Sequence, residues 1–381
     1  MTAAAAPEAP GAVRYDKLEA LRGVAACGMV LFHSQLTAGE EAVAWVRNGW
    51  LLVDLFFVLS GFVMAHAYAD RIRAGMTWGR YLGARLGRIY PLHAALLLAW
   101  VPYVALKAWL FHRGFGGVDP TGRSNPATFA SNLLLVQAWH VHDGLGWNFP
   151  SWSISAEWAT YALYFAWVRV VGSSRAGMGV GAPLAVSVAL YGLLWGLCPG
   201  TLDVTFDWGV PRCAAGFLLG VAVNGLRQRA GATLNGVAWH EAGALTAAAA
   251  ALSLAHRFPW TQHLSVLAFA ACIFAFSDAR SGLLGRALQG RVAQRAGAWS
   301  YSVYMVHALV LAALGNVAIH LLHVRQLRGV GMAWSVAGNA AVLLLVLGVA
   351  RVTYGLVELP GKAWVARWMA ERQPSVRSQA A

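Results

Sequence analysis

The chain has 381 residues, of which 58% are hydrophobic and 12% charged, with a formal net charge of +13. A soluble domain carries about 25% charged residues; here there is too little polar surface to cover a globule in water, and a mean hydropathy of +0.53 makes the bilayer the main solvent. The cations are spread among loops between apolar runs, so they follow membrane topology and argue against nucleic acid as a partner.

Taken in order, an Ala/Pro-rich stretch at 1–13 reads as a disordered cytoplasmic tail. Apolar runs then predict spans near 18–36, 50–69, 91–111, 152–171, 182–198, 210–225, 241–256, 263–277, 300–320 and 332–352. The expected fold class is all-α: a polytopic transmembrane bundle of about ten helices in a single domain over 14–370, with a second tail at 371–381. The first run contains Arg22 and His33, unlike the plain apolar core of a signal peptide. With the N-terminus in the cytoplasm, 21 of the 29 Lys and Arg residues fall on the inner side and 8 on the outer, so both termini are expected inside. The longest outer loop runs from about 112 to 150. Within it, the short run Asn132–Trp139 cannot span and is expected to be interfacial or re-entrant. Cys27, Cys198, Cys213 and Cys272 show no C-x-x-C spacing and read as small buried hydrophobes.

Ionisable groups in a spanning helix are costly, so each is a functional candidate. Arg22 and His33 stand eleven residues apart, about 20° past three full turns, which puts both on one helix face roughly 16 Å apart. His33 is suited to proton transfer; its bland reading is a histidine satisfied by a neighbouring helix while Arg22 snorkels. Asp54 needs a partner, and either His33 on the preceding helix or an arginine could supply one. Arg85 and Arg88, at i and i+3, present two guanidinium forks suited to a phosphorylated ligand, although basic residues are expected at a cytoplasmic edge anyway. Glu157 reads as an acceptor-site carboxylate or as a charge complementing a helix N-terminus. His140, His142 and Asp143 lie close together, but no further ligands accompany them, so no metal is assigned. The 18 Trp residues suit an interfacial belt; those of the outer loop, Trp139 and Trp147, are the ones that could stack on a sugar.

An ordered set of segments carries more than any one alone. It runs from Leu21-Arg22-Gly23 to His33, then Val53-Asp54-Leu-Phe-Phe-Val-Leu-Ser-Gly-Phe62, Arg85-x-x-Arg88-Ile-Tyr90-Pro-Leu92, Trp152-Ser153-Ile-Ser-Ala-Glu157, Tyr301-Ser-Val-Tyr-Met-Val-His307 and Glu358-Leu-Pro360. In this order, over nearly the whole chain, it resembles the acyltransferase-3 family of integral membrane enzymes that move acyl groups, usually acetyl, onto sugars. Many members carry a C-terminal extracytoplasmic esterase-like domain, which is not expected here. The resemblance implies acyl-CoA, most commonly acetyl-CoA, as a cytoplasmic donor, and a carbohydrate acceptor in a cell-surface glycan or lipid-linked precursor, at the bacterial inner membrane. Its implied catalytic set is His33, Asp54 and Glu157, with Asp54 orienting His33. Arg22, Arg85, Arg88 and Tyr90 would bind acyl-CoA, and Trp147, Trp152 and Ser153 the acceptor. A transporter that supplies acyl groups to a separate transferase is the alternative, since intramembrane Arg, His, Asp and Glu also suit transport.

Overall fold

The computed structural model describes residues 15–34, 44–115, 118–171, 179–231, 235–318 and 332–371. The expected tails at 1–13 and beyond Glu371 lie outside them. Among the described residues the fold is all-helical: α1 (Asp16–Ser34), α2 (Leu52–Arg73), α3 (Trp78–His112), α4 (Pro126–Leu133), α5 (Trp152–Val170), α6 (Gly181–Leu197), α7 (Gly209–Ala230), α8 (Val237–Leu254), α9 (Thr261–Phe276), α10 (Leu283–Leu288), α11 (Arg291–Asn316), α12 (Met332–Thr353) and α13 (Leu359–Glu371). It is an all-α membrane bundle. Each of the ten apolar runs falls on a helix. Among the described residues, five stretches are long and apolar enough to cross a bilayer: Gly49–Arg73, Trp78–His112, Gly209–Ala230, Arg291–Asn316 and Ala333–Glu371. Gly181–Leu197 and Thr261–Phe276 are apolar but shorter, at 17 and 16 residues.

Glycine sets how the helices cross. A Cβ at Gly61 on α2 would sit 1.8 Å from the Phe217 carbonyl oxygen on α7, and one at Gly220 would sit 1.9 Å from the Val58 carbonyl oxygen. Only hydrogen fits at both places, and without a hydrophobic drive between helices in lipid, such close backbone packing holds them together. Gly23 of α1 and Gly297 of α11 repeat the arrangement. The α1–α11 contacts rise together in sequence, from Arg22–Ser300 to His33–His307, so these two helices run in the same direction. The α3–α13 contacts (Gly83–Met369, Gly87–Val365, Pro91–Gly361) run in opposite directions.

Residues 118–150, most of the loop expected on the outer side and called the outer loop here, are tightly held. The loop's α4 begins with a capping box between Asn125 and Thr128 and a Pro at the first turn. From α4 onward the chain packs inward, with Leu135 and Ala138 both buried against α5 and α7. Polar groups in the interior pin it there. His93 Nε2 is 2.8 Å from the Asn132 carbonyl, Ser155 Oγ donates to the Leu135 carbonyl at 2.8 Å, and Gln137 Nε2 donates to the Ser151 carbonyl at 3.1 Å. All three non-glycine residues with left-handed φ among the described residues, Leu135, His140 and Trp147, lie in this loop, which concentrates backbone strain there.

Candidate active site

A cavity of about 830 Å³, its open mouth included, lies among α1, α2, α3, α5 and α11. Arg22, Arg85, Arg88 and Glu157 all line it, so residues separated by up to 135 positions converge on one space. Arg22 Nε donates to Ser300 Oγ at 2.8 Å. Arg85 rests over the Tyr68 ring at 4.5 Å, with a guanidinium N–H on the Tyr68 hydroxyl and Nη1 3.3 Å from Met64 Sδ. Its Nε is buried without a hydrogen-bond partner. Arg88 Nη1 is 2.5 Å from Glu358 Oε1, and Ser302 Oγ donates to the other carboxylate oxygen at 2.7 Å. A single π-helical turn, Tyr354–Glu358, joins α12 to α13 and carries this carboxylate; such bulges often occur at functional sites. Glu157 accepts from Ser60 Oγ at 2.5 Å and from the Tyr161 hydroxyl at 2.6 Å.

Tyr304 on α11 forms part of the cavity wall, bonded through its hydroxyl to Ser153 Oγ at 2.8 Å and the Pro150 carbonyl at 2.9 Å. Its ring centroid is 5.7 Å from that of His307, one turn further along α11. His307 is fully buried, with Nε2 3.0 Å from His33 Nδ1 and the two rings stacked at 4.9 Å. His33 keeps partial exposure, and Phe149 of the outer loop stands edge-on to it at 5.1 Å. Neither histidine lines the cavity; a chain of ring contacts, Tyr304–His307–His33–Phe149, connects its wall to the outer loop.

Several sequence expectations change here. Arg22 and His33 do share a face, and that face is turned to α11. Asp54 does not hold His33. It is fully buried and bound side-on to Arg212 of α7 through bonds of 2.7 and 3.0 Å, with the guanidinium stacked over Trp50 and Trp152 at 5.1 and 5.5 Å. An arginine satisfies a buried carboxylate with two parallel bonds, which an imidazole cannot do. Tyr90 is not in the cavity wall; its hydroxyl donates to the Leu133 carbonyl at 3.1 Å. Trp152 is committed to Phe57 and Arg212. Trp147 is buried beside Phe129 with its indole N–H on Thr128 Oγ1 at 3.0 Å. Neither presents an open ring face for a sugar, whereas Trp139 is exposed. Ser153, by contrast, does line the cavity. His142 contacts Ser131 Oγ at 2.7 Å while His140 packs on Trp208, and among the described residues no group of three or more His, Cys, Asp or Glu side chains is placed to hold a metal.

Sequence reasoning assigned no role to His307, Tyr304, Arg212 or Glu358. His307, Tyr304 and Glu358 do fall in the ordered set of segments, where a His three residues after a Tyr in an apolar helix was the available signal for the first two.

The matching family model is described as an acyltransferase domain and aligns with residues 15–353. The chain belongs to the acyltransferase-3 family. Across 96% of its length it is 29% identical to "Acyltransferase MdmB" of Streptomyces mycarofaciens, covering 95% of that protein. It is also 41% identical to "Protein 2 in picA locus" of Rhizobium radiobacter over 40% of this chain and 82% of that protein. No solved structure matches. Membership in an acyltransferase family gives the chain a chemistry: transfer of an acyl group.

Proposed function

We propose that the chain is an acetyl-CoA-dependent O-acetyltransferase of the bacterial cytoplasmic membrane, with ten spans and both termini inside, that acetylates a hydroxyl of a sugar in a cell-surface glycan or lipid-linked precursor. The observation that carries this reading is a cavity lined by three arginines whose wall includes a tyrosine packed on His307, which in turn contacts His33. Three guanidinium groups face two carboxylates, Glu157 and Glu358, which leaves an excess of positive charge. Arg85 has no carboxylate partner among the described residues and has a buried, unused N–H. A phosphate of CoA suits that deficit, since charge-assisted bonds to guanidinium are strong and directional. Arg88, already held by Glu358, shapes the wall and adds to the field rather than forking the phosphate alone.

With the phosphates near Arg85, the pantetheine arm follows the cavity past Arg22 and Ser153, carrying the thioester towards Tyr304 and His33. The acceptor comes from the opposite side, past Phe149. His33 Nε2 takes the proton of the acceptor hydroxyl as its oxygen attacks the thioester carbonyl carbon. The carbon–sulfur bond breaks, and the CoA thiolate recovers the proton from His33, giving the ester and CoA thiol. General-base catalysis of this kind contributes about 10²–10⁴-fold. Glu157, anchored by Ser60 and Tyr161, holds polar groups of the donor arm within the cavity.

The test compares wild type and His33→Ala, purified in detergent, for acetyl-CoA-dependent release of CoA thiol with and without extracted cell-envelope glycan. Glycan-stimulated release that disappears in the variant supports the reading. Equal release by both proteins moves the base elsewhere. Binding of acetyl-CoA with no release under any condition turns the reading towards a carrier of acyl groups.

A further inference from the structure

We infer that His307 is a neutral positioning residue for His33: it accepts the His33 Nδ1–H, presents His33 Nε2 to the reacting hydroxyl, and stabilises the imidazolium that forms without any carboxylate. The inference rests on the acyl-transfer reading for its catalytic half, and on contacts alone for its structural half.

The proton positions follow from the neighbours. His307 Nδ1 is 2.5 Å from the Tyr304 carbonyl oxygen. A carbonyl only accepts, so this nitrogen carries the hydrogen, and in the neutral ring Nε2 holds the lone pair. His33 Nδ1 is 3.1 Å from the Met29 carbonyl oxygen, so it too carries the hydrogen. The remaining contact, His33 Nδ1 to His307 Nε2 at 3.0 Å, then joins a donor to an acceptor. All three contacts agree on one arrangement. The hydrogen on His33 Nδ1 is shared between the Met29 carbonyl and His307 Nε2, and His33 Nε2 is left for a substrate.

In many enzymes a carboxylate takes the place of His307, fixing the tautomer and countering the charge. Here the intramembrane carboxylate on the neighbouring helix, Asp54, is consumed by Arg212. A buried carboxylate also has a large desolvation cost, which a neutral imidazole avoids. When His33 takes a proton at Nε2, its Nδ1–H becomes a charged donor, and charge-assisted bonds are roughly twice as strong as neutral ones. The bond to His307 therefore strengthens as the hydroxyl attacks and relaxes when the thiolate recovers the proton. In this scheme the shared hydrogen stays on His33 Nδ1, so His307 Nε2 only accepts a hydrogen bond, while its own Nδ1–H remains on the Tyr304 carbonyl. Full burial keeps water from competing for its Nε2.

The test has two arms on the full chain in lipid nanodiscs. Ring-¹⁵N histidine NMR on the wild type, with His33 and His307 assigned by single substitution, should find each ring protonated at Nδ1 and bare at Nε2. A proton on His33 Nε2 overturns the inference whatever the protein's activity. In the second arm, acetyl-CoA-dependent thiol release is measured for His307→Phe and His307→Gln. The Phe variant fills the space without an acceptor and should lose about tenfold to a hundredfold in kcat, with the KM for acetyl-CoA within about twofold of wild type. The Gln variant offers a carbonyl oxygen near the Nε2 position and should recover most of that loss. Wild-type kcat in the Phe variant overturns the inference, as does a Gln variant no faster than Phe. If the wild type releases no thiol, the acyl-transfer reading fails while the NMR arm still decides the pair. If His307→Phe does not fold, the wild-type spectrum still decides it.

Discussion

Two arginine–carboxylate pairs within the helical bundle look alike in sequence and differ in kind. Arg212–Asp54 joins α7 to α2 with both side chains 1% or less exposed, two parallel bonds, a third to the Val204 carbonyl, and two indole rings over the guanidinium. Arg88–Glu358 joins α3 to the π-helical turn, with the arginine 24% exposed and lining an open cavity. The first is sealed and saturated; the second stands at the edge of a space built for something else. A charge inside a membrane protein therefore marks a site only when it also faces an opening.

His33 and Asp54 sharpen this contrast from its two ends. His33→Ala should lower turnover by about 10²–10⁴-fold with little change in thermal melting, because the ring already borders the outer loop. Asp54→Asn should do the reverse. It leaves Arg212 an uncompensated buried cation, and breaking such a pair costs about 3–5 kcal/mol, read as a large fall in melting temperature in detergent. Material that survives should retain the wild-type KM for acetyl-CoA. An Asp54→Asn protein that melts normally but is inactive would return Asp54 to the catalytic set.

The helices were legible because apolar runs are a local property: each of the ten runs lies on a helix. The shared face of Arg22 and His33 was legible for the same reason, since helical periodicity fixed it before any partner was known. Partners were not legible. Asp54 and Arg212 are 158 positions apart and Arg88 and Glu358 are 270 apart, distances over which no periodicity operates. The outer loop misled in a different way. Its Trp147 looked available because loops lie at surfaces, but this loop folds inward, and Trp147 packs with Leu97, Trp100 and Ala308. His307 was visible as a residue and invisible as a partner, because only tertiary packing brings it to His33.

Arg85 tests the open half of the comparison. Its unpartnered Nε, and the lack of a carboxylate partner among the described residues, make it the cation best placed for a phosphate. Arg85→Ala should raise the KM for acetyl-CoA about tenfold to a hundredfold, the range of a hydrogen bond to a charged group, while the KM for acceptor stays near wild type. A rise confined to the acceptor would move the CoA phosphates away from this end of the cavity. Conversely, Gln137 lies within the outer loop, its buried Oε1 has no hydrogen-bond partner among the described residues, and it lines a small pocket with Phe149, which stands on the acceptor route proposed above. Gln137→Leu should raise the acceptor KM by a few fold and leave that for acetyl-CoA unchanged. A change in the donor KM alone would detach the pocket from the acceptor.

The smallest effect belongs to Glu358→Gln, and its size is what distinguishes the two ion pairs. The substitution is the same chemical change as Asp54→Asn: one carboxylate becomes an amide of nearly equal volume. Arg88 then loses its counter-charge but not its access to water, because its guanidinium borders the cavity and rests over the Tyr301 ring at 5.0 Å. The amide still accepts from Arg88 or from Ser302. Stability should therefore fall by only about 1 kcal/mol, in the range of partly hydrated pairs, against the several expected at Asp54. Removing a negative charge beside the cavity also makes its field more positive, so on the proposed donor placement the KM for acetyl-CoA should stay the same or fall slightly. A loss of stability as large as that of Asp54→Asn would mean that the π-helical turn is held by this bond alone and that the two pairs are of one kind after all.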